Sequence, residues 1–106
     1  MIKEFTTNVV SRSKNCNALC ITIKNTSNTS SYVTLKIYDC SNGYKNTVFS
    51  KRFYLSPNSS KMILFPLVSR HYDDFTDISR YVVSYFTESN CIQVSCKQVY
   101  NAGLDD

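Results

Sequence analysis

From residue 19 onward, apolar and polar side chains alternate with a period of two, and that spacing constrains the fold more than any other feature of the chain. Successive side chains of an extended strand point to opposite faces, so a period of two marks strands with one face buried. "LCITIK" (19–24) sets Leu19, Ile21 and Ile23 against Cys20, Thr22 and Lys24. "YVTLKIYDC" (32–40) sets Val33, Leu35 and Ile37 against Tyr32, Thr34, Lys36, Tyr38 and Cys40. "TVFSKRFYL" (47–55) turns Phe49, Phe53 and Leu55 inward, and Lys51 shares their parity, which predicts a bulge or a sheet edge there. "KMILFPLV" (61–68) is almost continuously apolar, the pattern of a strand buried on both faces or of a corner. "RYVVSYF" (80–86) and "CIQVSCKQVY" (91–100) complete the set, the latter with Ile92, Val94 and Cys96 on one side.

The segments between these strands carry turn chemistry. "NTSNTSS" (25–31) and "SPNSS" (56–60) are turns, and "SNGY" (41–44) holds the Asn-Gly pair that favours a two-residue hairpin. Asn25, Asn28 and Asn58 match the glycosylation pattern formally, and we read them as polar turns. "SRHYDDFTDI" (69–78) reads as irregular, with room for one helical turn started by Asp73 and Asp74. Residues 1–15 read as an arm with one short apolar patch at Val9 and Val10. The chain is therefore expected to be a single-domain, all-β, antiparallel β-sandwich, jelly-roll or immunoglobulin-like, with an N-terminal arm. The expected divisions are an arm or connector over 1–18, the sandwich over 19–102 and a short acidic tail over 103–106.

Bulk properties exclude several classes. The net charge of +4 comes from twelve scattered Lys and Arg, not from the concentrated basic face of a nucleic-acid binder. No run reaches the ~18 apolar residues of a membrane helix, and the first fifteen residues have no apolar core of signal-peptide length. Neither membrane insertion nor export by a cleaved signal is expected.

Five cysteines are an odd number, so in an oxidising setting at least one is left for a partner chain or stays free. Three readings stand side by side. A structural zinc site prefers closer pairs on tight knuckles than Cys16/Cys20 and Cys91/Cys96 provide. Reduced thiols packed as small hydrophobes need nothing further. Inter-chain disulfides draw on exposure. By parity Cys20 and Cys40 lie opposite the apolar faces of their strands, and Cys16 lies in an arm with no evident core to join. Cys91 and Cys96 are separated by an odd number of residues and face opposite sides of an unbulged strand, so they are poorly placed to bond to each other.

No catalytic motif is present. His71, the only histidine, stands in a polar loop, and no thiol-enzyme signature surrounds any cysteine. Asp73, Asp74 and Asp77 lack the Gly-containing loop of a calcium site. Tyr32, Tyr38, Tyr54, Tyr81 and Tyr85 lie in strands, and those that face outward suit either a ligand platform or cross-strand pairing. No enzyme activity, cofactor or metal is expected.

The stretches "ITIKNTSNTSSYVTLKIYDCSNG", "FYLSPNSSKMILFPL" and "RYVVSYF" resemble a layout found in small β-sandwich proteins of spore-forming Firmicutes, over roughly residues 19–100. Within that group the chain looks like the endospore appendage subunits, jelly-roll domains that stack into spore-surface fibres. Their flexible N-terminal connectors form disulfides with neighbouring subunits. The resemblance implies that Cys16 is the connector thiol and that Cys20, with Cys91 or Cys96, receives it, Cys40 being less clearly involved. Where those connectors carry adjacent cysteines, this arm carries Cys16 alone. It further implies a non-enzymatic subunit that is made in the mother-cell cytoplasm. Such a subunit self-assembles on the spore surface and contacts itself and other spore-surface proteins. The alternative reading is a small monomeric β-sandwich that binds carbohydrate or protein and keeps its thiols reduced.

Overall fold

The computed structural model describes residues 1–71 and 74–100, with only the backbone of residues 70, 71, 74 and 75. Ten strands run through the described residues. They are β1 (Lys3–Thr6), β2 (Val10–Ser11), β3 (Cys16–Asn25), β4 (Ser31–Asp39), β5 (Asn46–Leu55), β6 (Ser60–Pro66), β7 (Val68–His71), β8 (Asp74–Asp77), β9 (Arg80–Thr87) and β10 (Ile92–Tyr100). All pairings are antiparallel. One sheet has the order β1-β9-β4-β5, with β2 also on β9, and the other has the order β10-β3-β6. β7 and β8 form a separate hairpin.

The two sheets face each other as a β-sandwich, and the alternation explains why. β3 and β4 are the central strands of their sheets, and their apolar parities meet between them. Leu19, Ile21 and Ile23 on one, and Val33, Leu35 and Ile37 on the other, have no exposed surface. Each such side chain contributes about 1.5–3 kcal/mol by leaving water. Phe53, Leu55, Tyr81, Val83 and Ile92 extend the same cluster, and Phe49 of β5 meets Phe65 of β6 edge to face across the gap. β5 is a sheet edge, and Lys51, paired in register with Leu35, keeps the inward parity there with its side chain exposed and its ammonium above the Phe53 ring; the register shift of this pairing lies beyond it, opposite Ile37/Tyr38.

A fully buried asparagine fixes one end of the sandwich. Asn25 Nδ2 donates to the carbonyls of Thr29, Leu55 and Ser56, and its Oδ1 accepts from the Ser27 amide. This ties the 26–30 turn to the crossing between β5 and β6, where Asn58 takes a left-handed φ of 55°.

Several expectations are corrected. Residues expected as an arm are sheet: β1 and β2 pair with β9, and Phe5 stacks on Tyr85 at 4.8 Å. β1 is exposed along its length, so it carries no alternation of burial for the sequence to reveal. The segment expected as irregular or helical contains the β7/β8 hairpin. That hairpin closes the other end of the sandwich. Leu67 donates to the Asn17 carbonyl and Ile78 to that of Leu67, each at 2.8 Å, and both side chains are buried. Arg12 fastens it, donating to the carbonyls of Ile78 and Cys16 and pairing with Asp77 at 2.6 Å. β6 is an edge strand, not one covered on both faces; Met62 is 72% and Leu64 48% exposed. The Asn-Gly turn belongs to a longer loop between β4 and β5. The Gly43 amide bonds to the Cys40 carbonyl, and Gly43 itself has a φ of 85°, a conformation glycine adopts without cost.

Candidate functional site

The structure divides the five thiols, all of them free. Cys16, expected in an exposed connector, is 1% exposed. Asn15 with its φ of 69° turns the chain into β3, and Cys16 then pairs with Tyr100 across a register shift, its thiol 3.4 Å from the Ala18 carbonyl. Cys40, expected outward, is 8% exposed. Strand parity lapses at Asp39, where β4 ends and the chain bends. The Cys40 amide donates to the Arg80 carbonyl, which holds the bend against β9. Cys20 keeps the predicted outer parity but is only half-exposed between Lys97 and Leu64.

Cys91 and Cys96 are the exposed pair, and both belong to the same sheet margin. Cys91 ends the turn that precedes β10. Its amide donates to Ser89 Oγ, while its carbonyl accepts from the Thr26 amide and hydroxyl, so its backbone is held and its side chain is open to solvent. Cys96 lies in mid-β10 opposite Ile21. It shares the inward parity of Ile92 and Val94 at a margin where the facing sheet covers it incompletely. The residue is exposed as a whole, yet its sulfur sits deep enough that burial pushes the thiol up to about 11, with the nearby Cys20 and Cys16 thiols acting in the same direction. Tyr81 is shifted upward mainly by burial, against the opposing hydrogen bond that its hydroxyl accepts from Gln98 at 3.0 Å.

Among the described residues β10 is an edge strand, so along one side its backbone N–H and C=O groups have no strand partner there. Near its end the N-terminal segment approaches through Gln98, which accepts from the Ser13 amide and donates to the Ser11 carbonyl. The other edges differ in character. β5 displays Lys51 and Arg52, charges that discourage edge pairing, whereas β6 displays Met62 and Leu64.

A second feature lies on the outer face of the larger sheet. Tyr32 and Tyr54 pair across β4 and β5, 52% and 53% exposed, their rings edge to face at 5.2 Å. Arg52, diagonal to Tyr32, places its guanidinium 3.9 Å from that ring's centroid. Lys36 lies above the Phe86 ring at 5.2 Å, and Tyr38 carries Lys45 at 4.3 Å. A groove of about 500 Å³ opens beside Tyr32, with Arg52, Phe86, Glu88 and the hydroxyls of residues 30, 31, 34, 87 and 89 around it. Parity from the sequence points Tyr32, Tyr38 and Tyr54 outward as found. Tyr81 is buried, and Tyr85 faces inward onto Phe5. The sequence reading missed Arg52, Phe86 and Glu88. The signal for Arg52 was its shared parity with Tyr54 on one strand; Phe86 and Glu88 join only through the pairing of β4 with β9.

The side chains of His71, Asp73 and Asp74 lie outside the described residues; Asp77 is engaged by Arg12. Among the described residues, no three His, Cys, Asp or Glu side chains converge to hold a metal.

No family model and no curated protein matches the sequence. Among solved structures the chain is similar to the Anabaena sensory rhodopsin transducer, with 11% identity and a TM-score of 0.48, over 92% of this chain and 81% of that one. A likeness of that size carries no functional argument.

Proposed function

We propose that this chain is a non-enzymatic structural subunit that associates with copies of itself through an open sheet edge and is cross-linked by disulfides. The observation that supports this reading most is that the two exposed cysteines lie along one edge strand, Cys96 within β10 and Cys91 in the turn immediately before it. An edge of this kind accepts a strand from another chain through backbone hydrogen bonds. Cross-strand neighbours in such a pairing lie within reach of disulfide geometry, which requires Cβ atoms about 4 Å apart. Head-to-tail contacts that do not close would extend the assembly into a fibre. The setting proposed, a fibre or layer on an endospore surface, rests on the resemblance of the turn motifs. The buried Cys16 gives no support to a connector role for that residue, so the cross-link is assigned to Cys91 first and Cys96 second.

The test is electrophoresis of aerobically assembled protein, boiled in detergent, with and without reductant. A ladder that collapses to 12.1 kDa on reduction, and that Cys91→Ser removes, is the expected result. A monomer band in both lanes would overturn the proposal.

A further inference from the structure

Separately from assembly, we propose that the groove on the outer face of the larger sheet is a binding site for a neutral saccharide. Two aromatic rings line it. Tyr32 is 52% exposed and Phe86 half-buried, each with a cation at its ring, Arg52 on Tyr32 and Lys36 over Phe86, and the ring surface left open suits the C–H faces of pyranose rings. Its rim is polar, with unspent hydrogen-bonding capacity. Among the described residues no carboxylate lies within the ion-pairing distance of 4.0 Å of Arg52, and Glu88 has no hydrogen-bond partner. The hydroxyls of Ser31 and Thr34 likewise bond to no described group, and both line the groove.

The combination selects the ligand class. A guanidinium donates and a carboxylate accepts, so between them they satisfy adjacent hydroxyl groups, which are both donors and acceptors. Arg52 and Glu88 oppose each other in charge at the rim, with the Lys36 ammonium beside them over Phe86, and the adjacent donor and acceptor suit an uncharged polyol. Arg52 is also held in place by its contact with Tyr32, and Tyr54, packed on Tyr32, bonds through its hydroxyl to Ser30 at 2.7 Å. The platform is therefore fixed before a ligand arrives, which reduces the ordering cost of binding. A concave recess with an aromatic lining and a few convergent polar groups is the common form of small-ligand sites.

The experiment is titration of three neutral trisaccharides, chitotriose, cellotriose and maltotriose, into isotopically labelled protein, followed by amide resonances. At least one should give saturable shifts confined to residues 30–34, 52 and 86–89. Tyr32→Ala and Arg52→Ala should each weaken binding by about tenfold or more while leaving the remaining resonances dispersed. Both residues are exposed, so two independent variants guard against loss of fold. Absence of shifts with all three sugars at millimolar concentration would overturn the proposal. So would shifts mapping elsewhere, or shifts that track protein concentration instead of sugar, which would assign the face to a second copy of the chain.

Discussion

Cys96 of β10 stands directly opposite Ile21 of β3, yet Ile21 has no exposed surface while Cys96 is open at the sheet margin. The cross-strand pair is the same in kind as those around it. What differs is cover along β10, where Ile92 is buried in the core and Val94 is half-buried against it while Cys96 is exposed.

The thiols should consequently react in a fixed order. Cys91 should be alkylated first, and Cys96 more slowly, with a rate that climbs until about pH 11, where its thiol ionises. Cys16 and Cys40 should react only when the fold opens. Mass spectrometry of timed iodoacetamide labelling reads this directly, and labelling of Cys16 as fast as Cys91 would contradict its burial.

The same shift sets a pH dependence of stability. Folding keeps the Cys96 proton to about pH 11, against an ordinary value of 9.0. Between these values the unfolded chain has released a proton that the folded chain retains. The contribution is therefore complete below pH 9.0 and falls as pH rises towards 11. Urea midpoints measured across that range should decline, and Cys96→Ala should flatten the decline.

Arg12 joins β3, the β8 end and the segment after β2. Arg12→Ala should cost about 1–3 kcal/mol, because two carbonyls lose a charged donor. Asp77→Asn should cost under about 1 kcal/mol, since that carboxylate is half-exposed. Equilibrium denaturation of both variants would compare them, and equal costs would mean that the ion pair, not the carbonyl contacts, carries the effect.

Asn25 should tolerate little. Asn25→Ala removes the donor for three carbonyls and the acceptor for the Ser27 amide at a site with no solvent. A loss of about 2 kcal/mol or more is expected, comparable with the about 2–5 kcal/mol for Leu35→Ala in the core. Tyr44→Ala, at a residue 73% exposed, should stay within about 0.5 kcal/mol and serves as the control.

The strands readable in the sequence are the ones whose two faces meet different surroundings. Leu19, Ile21 and Ile23, or Val33, Leu35 and Ile37, announce themselves because every second residue is buried. β1 escapes that reading: Lys3, Glu4, Phe5 and Thr6 are all exposed, and the strand exists through backbone pairing with β9 and the Phe5–Tyr85 stack. β7 and β8 are short, and their hairpin depends on Leu67 and Ile78 plugging an open end that only the folded sandwich creates. The cysteines show where alternation stops being informative. Cys20 follows it, whereas Cys40 lies beyond a strand end and Cys16 beside a register shift, so each departs from its expected side. The groove was legible only as outward tyrosines: Arg52 shares the parity of Tyr54 on the neighbouring strand of a hairpin, whereas Phe86 comes from β9, whose place beside β4 no local pattern encodes.

The position of β3 between β6 and β10 has a consequence for the order in which the chain can fold. Neither neighbour of β3 is adjacent to it in sequence, so its backbone groups wait for partners that arrive far later. During synthesis the larger sheet can begin with the β4–β5 hairpin as soon as both strands emerge, but the smaller sheet stays incomplete until residues 92–100 are out of the ribosome. A nascent chain stopped short of β10 would present the side of β3, with Cys16 and Cys20 along it, to whatever strand is nearest. The chain is therefore most vulnerable to mispairing in the interval after β6 has emerged and before β10 has, and a slow, late-closing refolding phase is its expected kinetic signature.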